Sequence, residues 1–511
     1  MSQLNKLKTL NDRGGTVDTK DTGLVLTDEQ QVAIDAIINF LDTPNDVGDE
    51  SSDIDQPKKY DNIFTLSGIA GAGKSTIIKA ALKGRSGVVG AAISHSAKEV
   101  LEDAMDIDCF TIASLLGLQQ KIDDEGGITF VPRPTGRAGY RLPIEYSDVI
   151  IIDECSMIDD DIFNIINNKI KPEAKVIYLG DKSQLAPVKG DKDSITFNYT
   201  QANLSNAVRY AGPIADLGIR IRDEIAKCEE DAESGGSPHL INDWMEELGH
   251  DERVSNVNED GSGYIFINSA QAILNISGKL FNDDDPDSLR LIAYKNFSIA
   301  KINKAVRQRL YNTDGELKSI PQFMPGELLI SNGGYAETVL DESNPDKPRS
   351  KKVPVISNGT SLIIKKVTGT DHKKVPSFAI EFNGMQKNKA PIHCVADGDG
   401  MDSYNAVSAM LKANAQEDKF QWKYVYDFKD QFAWFSYGYA ISSHKSQGRT
   451  YNNVIIFEDD IFNVKKASIK NKLQSLYVAC TRAKTRVFIF NKNKRIDNSG
   501  VPQDLRDEYG F

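Results

Sequence analysis

The stretch NIFTLSGIAGAGKSTIIKAALK, residues 62–83, restricts the possible folds of this chain more than any other. An apolar run that reads as a buried strand ends in Gly-x-x-x-x-Gly-Lys-Ser, Gly68 to Ser75, and passes directly into a helical pattern. The apolar runs GVVGAAIS, DVIIIDE and KVIYLGD follow, separated by helical stretches. This alternation predicts a parallel sheet with crossover helices between Ile63 and about Phe197. The glycines let backbone N–H groups close around phosphate oxygens, and the helix N-terminus adds its partial positive charge. Lys74 reaches the β/γ-phosphates and the Ser75 hydroxyl ligates Mg²⁺. Gly68, Gly71, Gly73, Lys74, Ser75 and Thr76 are therefore the candidate nucleotide contacts, with ATP and Mg²⁺ as the implied cofactors.

DVIIIDECSM places Asp153 and Glu154 at the end of a hydrophobic strand. Asp153 would hold the Mg²⁺ together with Ser75, and Glu154 is placed to polarise an attacking water. An acidic pair at a strand end is common in isolation, but beside a phosphate loop it predicts nucleotide hydrolysis. In LTDEQ, Thr27 and Gln30 stand three apart at a helix start, which is a capping-box pattern. The Gln30 amide also suits the N6 and N7 edge of adenine, and the residues leave both roles open.

Around this centre, LTDEQQVAIDAIINFL predicts a helix with Ile34, Ile37, Ile38 and Leu41 on one face. A second α/β pattern begins near Asn198, with IAKINKAVRQRL as a helix and NNVIIFE and RVFIF as strands. Residues 313–430 are rich in Gly, Asn, Thr and Lys, and the runs ELLIS, SLIIKKV and SFAIEF predict a small all-β insertion. KCEEDAESGGSP and NDDDPDS read as exposed loops. The 511 residues exceed one ordinary core. Five scattered cysteines without a C-x-x-C pair argue for a reducing cytoplasm and against a zinc site or disulfide framework. The polar N-terminus lacks a secretion signal and no apolar run is long enough for a bilayer, so a cytoplasmic protein without membrane contact is expected. With a net charge of −12, any polynucleotide must lie in a local groove rather than over the whole surface.

Hydrolysis alone does not explain GDKSQLAPV, residues 180–188, where the strand KVIYL ends by presenting an Asp and a Gln and is closed by a Pro. The ordered set LTDEQ, GIAGAGKS, ISHSAKEVL, TIASLLG, IIIDECSM, GDKSQLAPV, YGYAISSHKSQGRT and LYVACTRAK resembles a superfamily 1 helicase, of the RecD-like, Dda-type branch. The resemblance covers about residues 24–495 and is weakest across 227–290 and 330–430. It implies an α/β fold of two RecA-like P-loop motor domains, with a small β-hairpin insertion and an SH3-like β-domain insertion. It implies ATP-dependent 5′→3′ movement on single-stranded DNA and duplex unwinding, with ATP hydrolysed to ADP and phosphate. Gln184 would then sense the γ-phosphate, Asp181 would hold its loop, and Pro187 and Val188 would stiffen the exit. Arg482 and Arg209 would act as arginine fingers, although for Arg209 a surface ion pair is a competing role. His95, Ser96 and Thr111 in the first motor domain, and Ser443, His444 and Ser446 in the second, would hold DNA phosphates. Gln447 and Gly448 would lie closer to the nucleotide.

The implied organisation is a flexible tail at 1–22, a first motor domain at 23–118 and 148–197, and a pin-like insertion at 119–147. A second motor domain follows at 198–312 and 431–511, with the SH3-like insertion at 313–430. KIDDEGGITFV reads as a β-hairpin, and Phe130 is its candidate strand-separating aromatic, with packing onto the domain as the alternative. The aromatic run QWKYVYDFKDQFAWFSYGY, including Trp422 and Trp434, is expected to be core on β-strands. Asn303 and Arg307 share a helical face and either touch DNA or pair on the surface. The expected partners are single-stranded and forked duplex DNA, with replication or recombination proteins left open and a monomer as the fitting state. Three rivals remain: a 3′→5′ superfamily 1 helicase, an ATP-gated single-strand-binding protein that remodels protein–DNA complexes, and an unrelated P-loop ATPase.

Overall fold

The computed structural model describes residues 26–45, 61–122, 128–132, 141–187, 192–205, 212–233, 252–312, 320–341, 349–385, 390–465 and 467–511. The expected tail at 1–22, Val188, Arg209 and the turn of the expected pin lie outside these residues. The chain forms two compact units, Met1–Ile241 with Lys466–Thr481, and Asn242–Lys465 with Arg482–Phe511.

In the first unit, β1 (Ile63–Gly68), β2 (Val88–Ala92) and β3 (Cys109–Thr111) precede a hairpin of β4 (Leu118–Ile122) and β5 (Ile128–Pro132). They are followed by β6 (Val149–Ile152), β7 (Lys175–Gly180) and β8 (Thr200–Leu204). The main sheet runs β3-β2-β6-β7-β1-β8 with every pair parallel. Strands buried on both faces read as unbroken apolar runs, which is why VIII and KVIYLG were recognisable. Alternate residues feed two cores. Phe64, Leu66, Ile151 and Leu179 pack against Ile34, Ile37 and Phe40 of the helix Asp28–Asp42 and Ile77 and Ile78 of the helix Lys74–Ala81. Ile150, Ile152, Val176 and Tyr178 pack on the other side against Phe163 and Ile166 of the helix Asp160–Lys169. Full burial of one such Ile contributes about 1.5–3 kcal/mol. Ile38 and Leu41, expected on the same helical face as Ile34 and Ile37, are its partly buried margin.

The sheet extends through β8, past residue 197. The helix Pro213–Glu233 packs with Ile469–Cys480 from near the other end of the chain. The first residues of KCEEDAESGGSP, read as a loop, continue that helix to Glu233, since a Lys/Glu/Ala run favours helix strongly enough to extend it.

The second unit opens with β9 (Glu252–Val254), β10 (Asn256–Val257), β11 (Gly263–Ile267) and β12 (Leu289–Ala293). Then come β13 (Leu328–Ser331), β14 (Tyr335–Asp341), β15 (Arg349–Ile356), β16 (Ser361–His372), β17 (Val375–Phe382) and β18 (Ile392–Val395). The last strands are β19 (Phe435–Tyr437), β20 (Ala440–Ser442), β21 (Tyr451–Phe457), β22 (Ala483–Phe490) and β23 (Arg495–Asp497). The order β10-β11-β22-β21-β12-β20 makes a second sheet, parallel except for β10. Beside it stands an antiparallel sheet, β18-β17-β16-β13-β19, and β14 pairs with β15 as a separate ribbon.

The stretch 313–430, expected to be all β, also carries the helices Asp399–Glu417 and Trp422–Lys429. Of the aromatics expected to be core on strands, Trp422, Tyr424, Tyr426 and Phe428 sit on the second of these helices, where the first three face solvent and Phe428 is buried. Trp434 is exposed beyond it, Phe435 and Tyr437 lie on β19, and Phe432 and Tyr439 are buried. Trp422, Tyr424, Tyr426 and Phe428 alternate at the period of a strand, yet the segment is helical and buries the pair three apart, Val425 and Phe428. Among the described residues no helix is long and apolar enough to cross a membrane.

Candidate active site

β6, β7 and β1 are neighbours in the first sheet, in parallel register, so Asp153, Asp181 and the phosphate loop emerge side by side from their carboxyl ends. Ligands in open α/β sheets lie along this edge. The loop after β1 turns through Gly71 and Gly73, both left-handed, at φ 79° and 84°. Gly73 stands directly before the helix Lys74–Ala81, with Ser75 and Thr76 in that helix's first turn. The Lys74 ammonium folds back onto the loop, donating to the carbonyls of Gly68 at 2.6 Å and Ile69 at 3.1 Å.

Of the two roles left open for Gln30, the structure shows the capping one. Its Oε1 accepts the Thr27 N–H at 3.0 Å, completing the capping box. Its Nε2 donates to the Ala72 carbonyl at 3.0 Å, which ties the helix Asp28–Asp42 to the phosphate loop. With both amide atoms engaged and the side chain buried, Gln30 supports the loop directly.

Burial pushes the Asp153 carboxyl pKa up, and the neighbouring Glu154 raises it further against the opposing charge of Lys74. Asp153 Oδ1 accepts the Glu154 N–H at 2.9 Å. Glu154 itself is left-handed, φ 55° and ψ 44°, a conformation that costs a residue with a side chain about 1–2 kcal/mol. A half-buried carboxylate whose ionised form is disfavoured calls for a cation. The donors here, the Ser75 hydroxyl and the Asp153 carboxylate, are hard oxygens and fit Mg²⁺. That ion characteristically takes one or two carboxylates, with phosphates and waters completing the shell. Among the described residues no cluster of three or more His, Cys, Asp or Glu offers an all-protein metal cage.

Asp181 and Gln184 form one tight turn after β7. The Gln184 N–H donates to the Asp181 carbonyl at 3.0 Å, and Asp181 Oδ1 accepts the Ser183 N–H at 3.0 Å. The other carboxylate oxygen accepts the Tyr477 hydroxyl at 2.7 Å, with both groups buried. Tyr477 belongs to the helix Ile469–Cys480, which also places Lys470 on Asp193 at 2.6 Å. A cleft of about 800 Å³ opens here, lined among others by Gly68, Asp181, Ser183, Asn203 and Arg222. Tyr477 was missed by sequence reasoning. It lies within LYVACTRAK, but nothing local marks it as the partner of a residue so far upstream.

At the other end of the same sheet edge, after β2 and β3, lie the candidate DNA contacts. His95 is exposed and begins the helix His95–Met105, which Ser94 caps while sharing a hydrogen bond with Ser96. Thr111 Oγ1 accepts the Ser114 N–H and caps the short helix that follows. Phe130 lies on β5 opposite Gln120 of β4.

The remaining candidates belong to the second unit. Ser443 and Ser446 are fully buried, and the Ser446 hydroxyl donates to the Ser443 carbonyl, so both lie inside the turn rather than at its surface. The partly exposed Ser442 caps this turn, a role that the Ser-Ser pair at a helix start could have signalled. His444 packs edge-to-face on Tyr294, and burial lowers its pKa. Gln447 is buried and Gly448 follows in a left-handed turn. Arg482 is also buried and donates to the Arg449 carbonyl, while the Arg449 guanidinium grips Gly359 and Ser361 at the turn before β16. Asn303 and Arg307 are buried rather than paired on the surface. Asn303 exchanges two hydrogen bonds with the Ala440 backbone, and Arg307 is buried against Glu327 and over the Tyr437 ring.

Residues 57–224 match the AAA domain family, and residues 437–490 match the UvrD-like helicase C-terminal domain. The chain is 23% identical over 459 residues to the ATP-dependent DNA helicase dda of Enterobacteria phage T4, covering 84% of this chain and 95% of that protein. It is 25% identical over 496 residues to an uncharacterized protein of Acanthamoeba polyphaga mimivirus, covering 83% and 94%. Among solved structures it is similar to the Pif1 helicase from Bacteroides in complex with ADP-AlF3 and ssDNA. That likeness has a TM-score of 0.43 and 16% identity, and covers 95% of this chain and 98% of the other.

Proposed function

The chain is a superfamily 1B helicase of the Dda-like group, and from that premise we propose that it hydrolyses ATP to move 5′→3′ along single-stranded DNA and separate duplexes. The observation that carries this reading is the shared sheet edge. The phosphate loop, Asp153 and the Asp181–Gln184 turn leave from β1, β6 and β7, and the candidate strand contacts His95 and Thr111 leave from β2 and β3 beside them. A change at the γ-phosphate is thereby only a strand or two from a surface that can hold a phosphodiester, which is what coupling needs.

In this reading Lys74 exchanges its two loop carbonyls for β- and γ-phosphate oxygens. Ser75 and Asp153 hold Mg²⁺, which neutralises phosphate charge when bound. Glu154 orients and polarises the attacking water. Gln184 reads the γ-phosphate, and Asp181 fixes its turn. Arg482 and Arg209 supply positive charge to the transferred phosphoryl group, and Phe130 stands at the fork.

The test is ATP-dependent unwinding of two matched duplexes, one with a 5′ single-stranded tail and one with a 3′ tail, with Lys74→Ala as control. Opening of only the 5′-tailed duplex supports the reading. Opening of only the 3′-tailed duplex reverses the polarity. DNA-stimulated ATP hydrolysis without opening of either makes the chain a remodelling translocase.

A further inference from the structure

The helix Asn296–Tyr311 differs in chemistry from the chain around it. It carries Lys301, Lys304, Arg307 and Arg309 and no acidic residue, in a protein of net charge −12. Such a local basic stripe on an acidic protein marks where a polyanion is received. At its first turn Phe297 is 70% exposed, and the Lys301 ammonium stands 4.3 Å from the centre of the Phe297 ring.

The turn that presents Phe297 is fixed. One Asp460 carboxylate oxygen accepts the N–H groups of Tyr294 and Lys295, both at 2.8 Å, and the other accepts the Ser298 hydroxyl. Tyr294 in turn packs edge-to-face on His444, with ring centres 6.0 Å apart. The same helix forms one wall of a cleft of about 1020 Å³, whose lining includes Asn296, Lys304, Asn332, Ser436, Ser442 and Lys445. β12 and β20 are adjacent parallel strands, so this turn and the Ser442–Lys445 turn leave the sheet from the same carboxyl edge. Asp397 is the acidic residue in the lining, against Lys304 and Lys445, the Arg307 charge being met by Glu327.

We propose that the first turn of this helix is a base seat for single-stranded DNA, in which one unpaired base stacks on Phe297 while Lys301 and Lys304 hold the adjoining phosphates. The proposal rests on the reading of the chain as a motor on single strands and adds a contact on the second unit that the motif residues do not supply. Stacking on an exposed aromatic is tolerant of base identity, because every base has a π-face. That suits a surface which must release one nucleotide and accept the next. Arg307 and Asn303 stay occupied with Glu327 and Ala440 and shape the cleft from inside.

The experiment measures binding of the full chain to a single-stranded oligonucleotide containing 2-aminopurine, without nucleotide, across a salt series. Phe297→Ala is expected to weaken binding on the order of 5- to 150-fold and to reduce the quenching of 2-aminopurine. Phe297→Trp is expected to restore both. Lys301→Gln is expected to lower the slope of log K against log salt by about 0.7. An unchanged melting temperature for Phe297→Ala accompanies these results, since the ring is not part of the core. Wild-type binding with no loss in Phe297→Ala overturns the base seat and leaves the motor reading standing. No wild-type binding to single strands at any salt concentration overturns both.

Discussion

Replacing Tyr477 with Phe removes one oxygen from the protein and tests how the Gln184 turn is held. The lost bond is a 2.7 Å hydrogen bond from a buried hydroxyl to a buried carboxylate. Bonds of this kind to charged groups contribute about 1.5–3 kcal/mol. After the change Asp181 keeps the Ser183 N–H on its other oxygen, so the expected loss is about 2 kcal/mol rather than the full cost of a stranded charge. For a unit of this size that lowers the melting temperature by about 4–8 °C. If the turn must be fixed for hydrolysis, ATP turnover falls by up to about 30-fold with the same free energy. Scanning calorimetry and steady-state ATP hydrolysis with saturating single-stranded DNA read the two effects. Asp181→Asn combined with Tyr477→Phe is expected to cost little more than Asp181→Asn alone. A melting temperature within about 1 °C of wild type, or fully additive losses in the double variant, would refute the reasoning.

Gly73→Ala places a Cβ 2.9 Å from Gln30 Nε2 at φ 84°. It is expected to cost about 1–2 kcal/mol of backbone strain and to weaken ATP binding, which titration calorimetry checks. Phe130→Ala is expected to impair unwinding more than DNA-stimulated ATP hydrolysis, and equal losses of both in parallel assays would remove the strand-separating role. His372 and His393 are stacked with ring centres 3.8 Å apart, and burial lowers both pKa values. The unfolded chain therefore binds more protons than the fold near pH 6, and stability falls as pH drops below about 6.5 toward the depressed folded values. Melting curves at stepped pH should show a shallower fall for His372→Gln.

What the sequence made legible was local. The strands β1, β6 and β7 are continuous apolar runs, and the phosphate loop and acidic pair are fixed to their ends by adjacency alone. Ser443 and Ser446 looked like surface hydroxyls because a four-residue helix has too little periodicity to show which side chains turn inward. Trp422, Tyr424 and Tyr426 were misplaced because their alternation imitates a strand on a segment that folds as a helix, whereas Phe428 and Phe432 are core as expected. Arg307 and Glu327, Asp460 and Ser298, and Asp181 and Tyr477 pair across the chain. A single sequence carries no signal of such a pairing.

The clasp between Asp181 and Tyr477 also has a timetable. The two residues are 296 positions apart, and closing so long a loop costs roughly 3 kcal/mol more chain entropy than a loop of about 10 residues. At ribosomal speeds of about 5–20 residues per second, the Asp181 turn waits on the order of 15–60 s for the helix that pins it. Residues 242–465 of the second unit are all synthesised within that interval. A ribosome that stalls between Leu204 and Tyr477 therefore holds the phosphate loop and every strand of the first sheet already synthesised, next to a carboxylate turn still without its clasp.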